Sequence, residues 1–116
     1  MADITIYHNP RCSKSRQTLE LLKENSISPE IILYLETPPS KPEIQSLLIK
    51  LGISARQLLR SSEEAYKTGN LADDSLSEDQ LIDAMLAEPK LIERPIVVAG
   101  DRAVLGRPPE NALDLI

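Results

Sequence analysis

Residues 4–16 read ITIYHNPRCSKSR, an apolar run that meets a proline-marked loop and then a helical pattern holding the single cysteine, Cys12. Ile4, Thr5, Ile6 and Tyr7 favour a strand, and His8, Asn9 and Pro10 interrupt it as a strand end and loop do. After the cysteine, Leu19, Leu21 and Leu22 fall among Arg16, Gln17, Glu20, Lys23 and Glu24, the mix of an amphipathic helix that closes near Asn25. Cys12 is therefore expected at a strand-to-helix junction, at or just before the helix N-terminus.

That position has chemical consequences. The N–H groups of a first helical turn lack helical partners, and the aligned peptide dipoles place partial positive charge there. Both effects favour a thiolate, the nucleophilic form of cysteine, and the same N–H groups suit a bound oxyanion. Arg11, Lys14 and Arg16 add positive charge around Cys12, and Ser13 and Ser15 add hydroxyl donors, so Ser13, Lys14, Ser15 and Arg16 are candidate substrate-binding residues. The alternative, a small buried apolar cysteine, fits poorly with neighbours that are polar and basic.

Composition narrows the classes. A chain of 116 residues with 41% hydrophobic residues supports one domain, residues 1–116, with a modest core. Phe and Trp are absent, so that core is built from Leu, Ile, Val and Ala. No segment approaches the roughly 20 apolar residues of a membrane span. The start, MADITIYH, lacks the basic and hydrophobic regions of a signal peptide, and a cytoplasmic protein is expected. One cysteine cannot close an internal disulfide, so a redox role needs an external thiol, and one His beside one Cys leaves no soft-ligand metal cluster. A net charge of −5 argues against a nucleic-acid surface.

Further along, Pro29–Leu35 (PEIILYL) reads as a second strand, ended by Glu36-Thr37-Pro38-Pro39, which makes a β-α-β opening with parallel strands. Ser40 with Glu43 is a capping box for a helix bearing Ile44, Leu47, Leu48 and Leu51 up to Gly52. Ser54 starts a shorter helix that delivers Arg60. Residues 61–75 are polar and read as irregular or weakly helical. Ser77 with Gln80 opens a further helix that Pro89 stops. Pro95–Ala99 and Arg102–Gly106 form a hairpin around Gly100-Asp101, Arg107-Pro108-Pro109-Glu110 breaks it, and Ala112–Ile116 suggests a short final helix. The expected fold is α/β and thioredoxin-like: a four-stranded mixed sheet with flanking helices and a helical insertion, about residues 40–90, between a β-α-β half and a β-β-α half. In that fold the proline at the place of Pro95 is usually cis and beside the active cysteine.

These segments match a known family in order. ITIYHNPRC, LYLETPPS, LGISARQLLR, LSEDQLIDAML, and LIERPIVV followed by GRP resemble the ArsC family of glutaredoxin- and glutathione-dependent arsenate reductases, in its YfgD-like branch, over nearly the whole chain. The resemblance implies an oxidoreductase in which Cys12 is the nucleophile, Arg60, Arg94 and Arg107 surround the arsenic oxyanion, and His8 influences the thiolate. It further implies glutathione as co-substrate, glutaredoxin as partner, and no tightly bound cofactor. Arginine suits the role, because its planar, permanently charged fork binds two oxygens of an oxyanion at once. Where arsenate reductases of the family carry Gly-Thr-Ser after the cysteine, this chain has Ser13-Lys14-Ser15.

Other functions fit less of the pattern. Ser15 stands where a dithiol oxidoreductase has its second cysteine, Thr18 occupies the arginine position of a C-x5-R phosphatase, and the Gly-Phe-Ser of monothiol glutaredoxins is missing. A regulatory or adaptor protein of the same fold, like the Spx-type regulators, is the alternative from another class, and a glutathione-linked thiol transferase is a third.

Overall fold

The computed structural model describes residues 4–116. Its contacts divide the chain into two compact units, one running up to Thr37 and resuming over Arg94–Ile116, the other Pro38–Glu93.

The first unit has the order β1 (Ile4–Tyr7), α1 (Ser13–Glu24), β2 (Glu30–Ile32), β3 (Ile96–Ala99) and β4 (Arg102–Leu105), closed by a 3-10 segment, Pro109–Leu115. The sheet order is β2-β1-β3-β4. β1 pairs parallel to β2 with Ile6 opposite Ile31, and antiparallel to β3 with Ile6 opposite Val97. β3 returns as β4 with Val97 opposite Val104. This is the four-stranded mixed sheet of the thioredoxin-like fold. Strand β1 lies between two neighbours, so its side chains are covered: Ile6 is wholly buried and packs with Ile4, Leu22, Val97, Ala99 and Ala112 in one cluster. Each of its Ile, Leu and Val side chains contributes about 1.5–3 kcal/mol when removed from water. The hairpin turns tightly because Gly100 takes a positive φ of 63°, a conformation glycine adopts without steric cost.

Three details depart from the sequence-based expectation. The second strand covers only Glu30–Ile32, not Pro29–Leu35. It is an edge strand with Ile31 exposed, and the chain turns away at once as Glu36 and Thr37 N–H groups donate to the Leu33 carbonyl at 2.9 and 2.8 Å. The final helix is a 3-10 segment that begins at Pro109, earlier than Ala112. Proline is tolerated there because the first turn needs no donor from it. The buried face of α1 is Ser15, Thr18 and Leu22, whereas Leu19 and Leu21 are only half-buried.

The second unit is helical: α2 (Lys41–Leu51), α3 (Ala55–Leu58), α4 (Glu64–Thr68), α5 (Glu78–Ala87) and a 3-10 turn, Pro89–Leu91. Ser40, Ser54 and Ser77 each accept from the N–H three residues on, and Glu43, Gln57 and Gln80 return the bond, so all three are complete capping boxes. Apolar residues fill the interior, among them Ile44, Leu58, Met85 and Leu91. A short antiparallel bridge of Leu59 with Ile92 is flanked by the bonds Arg60 N–H to Leu91 O and Glu93 N–H to Leu58 O, both 2.8 Å.

Candidate active site

Cys12 is the N-cap of α1. Its backbone is extended (φ −95°, ψ 124°), and its side chain makes no capping bond. The loop before it is closed by hydrogen bonds from Cys12 N–H to Asn9 O and from Arg11 N–H to Asn9 Oδ1, both 3.0 Å. Asn9 thus shapes the approach to the cysteine twice over, as Asn does in tight turns. Burial opposes ionisation of the Cys12 thiol and is the largest single influence on it. Four others outweigh it together: the Ser15 N–H, the nearby Arg94 charge, the Lys14 N–H and a hydrogen bond from the Arg94 guanidinium. The thiol's pKa therefore lies below its ordinary value.

Ser15 has two distinct parts. Its N–H faces Cys12, while its hydroxyl points inward, fully buried. That Oγ accepts from Asn9 N–H at 3.0 Å and lies 2.6 Å from His8 Nδ1. His8 is itself buried, and its pKa is lowered first by that burial and then by the charges of Arg16 and Lys23. That shift favours the neutral imidazole over the cation. Its link to the cysteine runs through Ser15.

The remaining candidates are placed as follows. Ser13 is exposed at the first position of α1. Lys14 contributes its N–H to Cys12, and its side chain borders a groove of about 370 Å³ with Gln17, Glu20, Pro108 and Glu110. Arg16 bends back so that Nη1 donates to the Pro10 carbonyl at 2.9 Å. Arg94 reaches Cys12, and Arg107 donates from Nη1 to the Arg94 carbonyl at 3.3 Å, so the two arginine segments are joined. Both arginines precede cis peptide bonds, Arg94-Pro95 and Arg107-Pro108. Arg60 belongs to the second unit, where its guanidinium lies 3.5 Å from Glu63 and 3.9 Å from Glu93.

Sequence reasoning passed over Thr18 and Asn9. Thr18 is fully buried, and its hydroxyl donates toward the carbonyls of Lys14 (2.8 Å) and Gly106 (3.2 Å). The available signal was spacing: Ser15, Thr18 and Leu22 recur at three and four residues, one helical face. Among the described residues no three His, Cys, Asp or Glu side chains are grouped to hold a metal ion, and no helix is long and apolar enough to cross a membrane.

Comparison with known proteins agrees with this layout. The family model ArsC family matches residues 7–115. The uncharacterized protein YfgD of Escherichia coli K12 is 59% identical over 97% of this chain and 96% of its own length. An arsenate reductase of Escherichia coli is 52% identical across 100% of this chain and 82% of its own. The solved structure of an arsenate reductase from Vibrio cholerae superposes with a TM-score of 0.97 at 51% identity, covering 99% of this chain and 98% of that one. A match of this extent, in sequence and in fold together, places the chain in the ArsC family.

Proposed function

We propose that the protein is an arsenate reductase that converts arsenate to arsenite through a Cys12 adduct. The observation that carries the proposal is Cys12 at an uncapped helix start beside the Arg94 guanidinium, where first-turn N–H groups and that charge lower the pKa of its thiol. A tetrahedral oxyanion is recognised by just such groups, since backbone N–H donors and a guanidinium fork both address negative oxygens. In the first step the Cys12 sulfur bonds to arsenic and one arsenate oxygen departs, protonated, as water. Charge grows on the remaining oxygens as the fifth bond forms. Donors already in place stabilise that charge without reorganising. We assign this role to Arg94 and Arg107, with the first-turn N–H groups of α1 that no side chain caps.

Reduction of As(V) to As(III) takes two electrons, and the chain has one thiol. The second thiol is therefore external, and glutathione attacks the adduct in the reading favoured here. The glutathione sulfur bonds to Cys12 Sγ, the S–As bond breaks with its electron pair kept by arsenic, arsenite is released, and glutaredoxin with further glutathione reduces the Cys12–glutathione disulfide back to the thiol. On the family likeness alone we extend the oxyanion-binding role to Arg60: Arg60→Ala is expected to raise KM for arsenate. The deciding experiment is arsenate-dependent NADPH oxidation with glutathione, glutaredoxin and glutathione reductase. Turnover that needs arsenate, glutathione and Cys12 together is expected. Thiol exchange that ignores arsenate would move the assignment to a glutathione-linked thiol transferase.

A further inference from the structure

Thr18, Pro95 and Gly106 meet at one point in the first unit. Gly106 is buried, and a Cβ placed on it would stand 2.6 Å from Thr18 Oγ1, 2.7 Å from Pro95 Cγ and 2.9 Å from Thr18 Cγ2. Carbon atoms do not approach buried neighbours that closely, so only a hydrogen fits. Polar bonds cross the same point. Gly106 N–H donates to the Pro95 carbonyl at 2.9 Å, and the single Thr18 hydroxyl hydrogen is shared between the carbonyls of Lys14 at 2.8 Å and Gly106 at 3.2 Å. Three segments are joined here: helix α1, which starts at Cys12; the entry to β3, where Arg94 immediately precedes Pro95; and the exit of β4, where Arg107 immediately follows Gly106.

From this geometry we propose that Thr18 and Gly106 are positioning residues for the reaction, setting how far Arg94 and Arg107 stand from Cys12. Neither touches the substrate. The inference deepens the arsenate-reductase reading in assigning these roles, and its main readout needs no arsenate. A methyl group at Gly106 has to push α1 away from the two arginine segments, or push those segments away from α1. Either displacement weakens the contact of Arg94 with Cys12, which the Thr18 bridge otherwise maintains across 88 positions of sequence.

The test compares Gly106→Ala, Thr18→Ala and Thr18→Ser with the wild-type chain in thermal melts, thiolate-absorbance titration of Cys12, and steady-state arsenate reduction. Gly106→Ala is expected to raise the Cys12 midpoint and to lower kcat by roughly tenfold to a hundredfold, the cost of misplacing a catalytic group by about 1 Å, with KM moving less. Thr18→Ala should act in the same direction without added bulk, so it serves where Gly106→Ala fails to fold. Thr18→Ser, which keeps the hydroxyl, should return the Cys12 midpoint to that of wild type. Folded Gly106→Ala or Thr18→Ala protein with an unchanged midpoint and unchanged kcat overturns the proposal and leaves the contact purely structural. Midpoint shifts in a protein that does not reduce arsenate would refute the substrate assignment while supporting the positioning role.

Discussion

Helices α2, α3 and α5 of the second unit each start on a serine whose side chain and partner three residues on satisfy the terminal N–H groups, whereas α1 of the first unit starts on Cys12 with no side-chain cap. Burial differs in the same sense. Among the described residues the buried polar side chains are His8, Ser15 and Thr18, all in the first unit, which also holds Cys12. The second unit's interior is apolar, and its one α-helix without a side-chain cap, α4, is a single short turn with no buried residue. A serine cap is worth about 1 kcal/mol, so α1 forgoes that stabilisation, and the N–H groups of Lys14 and Ser15 address the Cys12 sulfur instead. Where a fold leaves an easy local bond unmade, and surrounds the gap with buried polar groups, chemistry is the explanation to test first.

The severest challenge to the contrast is Cys12→Ser. The change is small in volume, and a serine there has the side chain of a good N-cap, so the melting temperature is expected to hold or rise while arsenate turnover falls to background. Retained turnover in that folded variant would break the contrast, since the open helix start would then have no chemical role. Next come Arg94→Ala and Arg107→Ala. Each is expected to remove on the order of 2–4 kcal/mol of transition-state stabilisation, as the loss of an oxyanion donor does. Lys at either position should rescue only in part, because it keeps the charge and loses the fork. Arg94→Ala should in addition raise the Cys12 midpoint, since its charge and hydrogen bond both favour the thiolate. Steady-state rates and thiolate titration check both statements. Wild-type rates in the two Ala variants would mark the arginines as surface charges.

What the sequence disclosed follows the same division. Capping boxes at Ser40 and Ser77 are local signals, written within four residues, and they were legible, as were the strand of Ile4–Tyr7 and the hairpin around Gly100-Asp101. The position of Cys12 at the start of α1 was legible for the same reason. The inward turn of Ser15 and Thr18 was not, because their partners lie on the His8-Asn9 loop and on Gly106. A hydroxyl on a helix reads as solvent-facing until the carbonyl that receives it is known. The extent of β2 was also hidden: PEIILYL has the composition of a longer strand, and only its place at the sheet edge shortens it. Nor does anything local in Arg107-Pro108 announce a cis bond.

A gentler comparison removes caps from the second unit. Ser40→Ala and Ser77→Ala should each lower stability by about 1 kcal/mol, read from urea unfolding, because the N–H of Glu43 or of Gln80 loses the serine hydroxyl that accepts from it. Neither should move the Cys12 titration midpoint. A shift of that midpoint in either variant would mean that the helical unit participates in activating the thiol, and the division drawn here would have to be abandoned.

The smallest effect concerns acid stability and His8. Burial, with the charges of Arg16 and Lys23, holds its pKa below the ordinary value in the folded chain. The unfolded chain takes up the proton at about 6.5, so as pH falls through that value the unfolded state binds more protons than the native one, and stability declines. The decline stops once the pH is below the folded value too. From about pH 8 upward both states are neutral and His8 contributes no slope. His8→Asn keeps a polar atom near the place of Nδ1 for Ser15 but cannot be protonated, so its unfolding midpoint should change less between about pH 7 and pH 5.5 than that of wild type. An equal change in both proteins would assign the acid sensitivity to carboxylates. It would also remove the reason for treating His8 as a neutral support of Ser15, whose N–H is among the donors that hold the Cys12 thiolate.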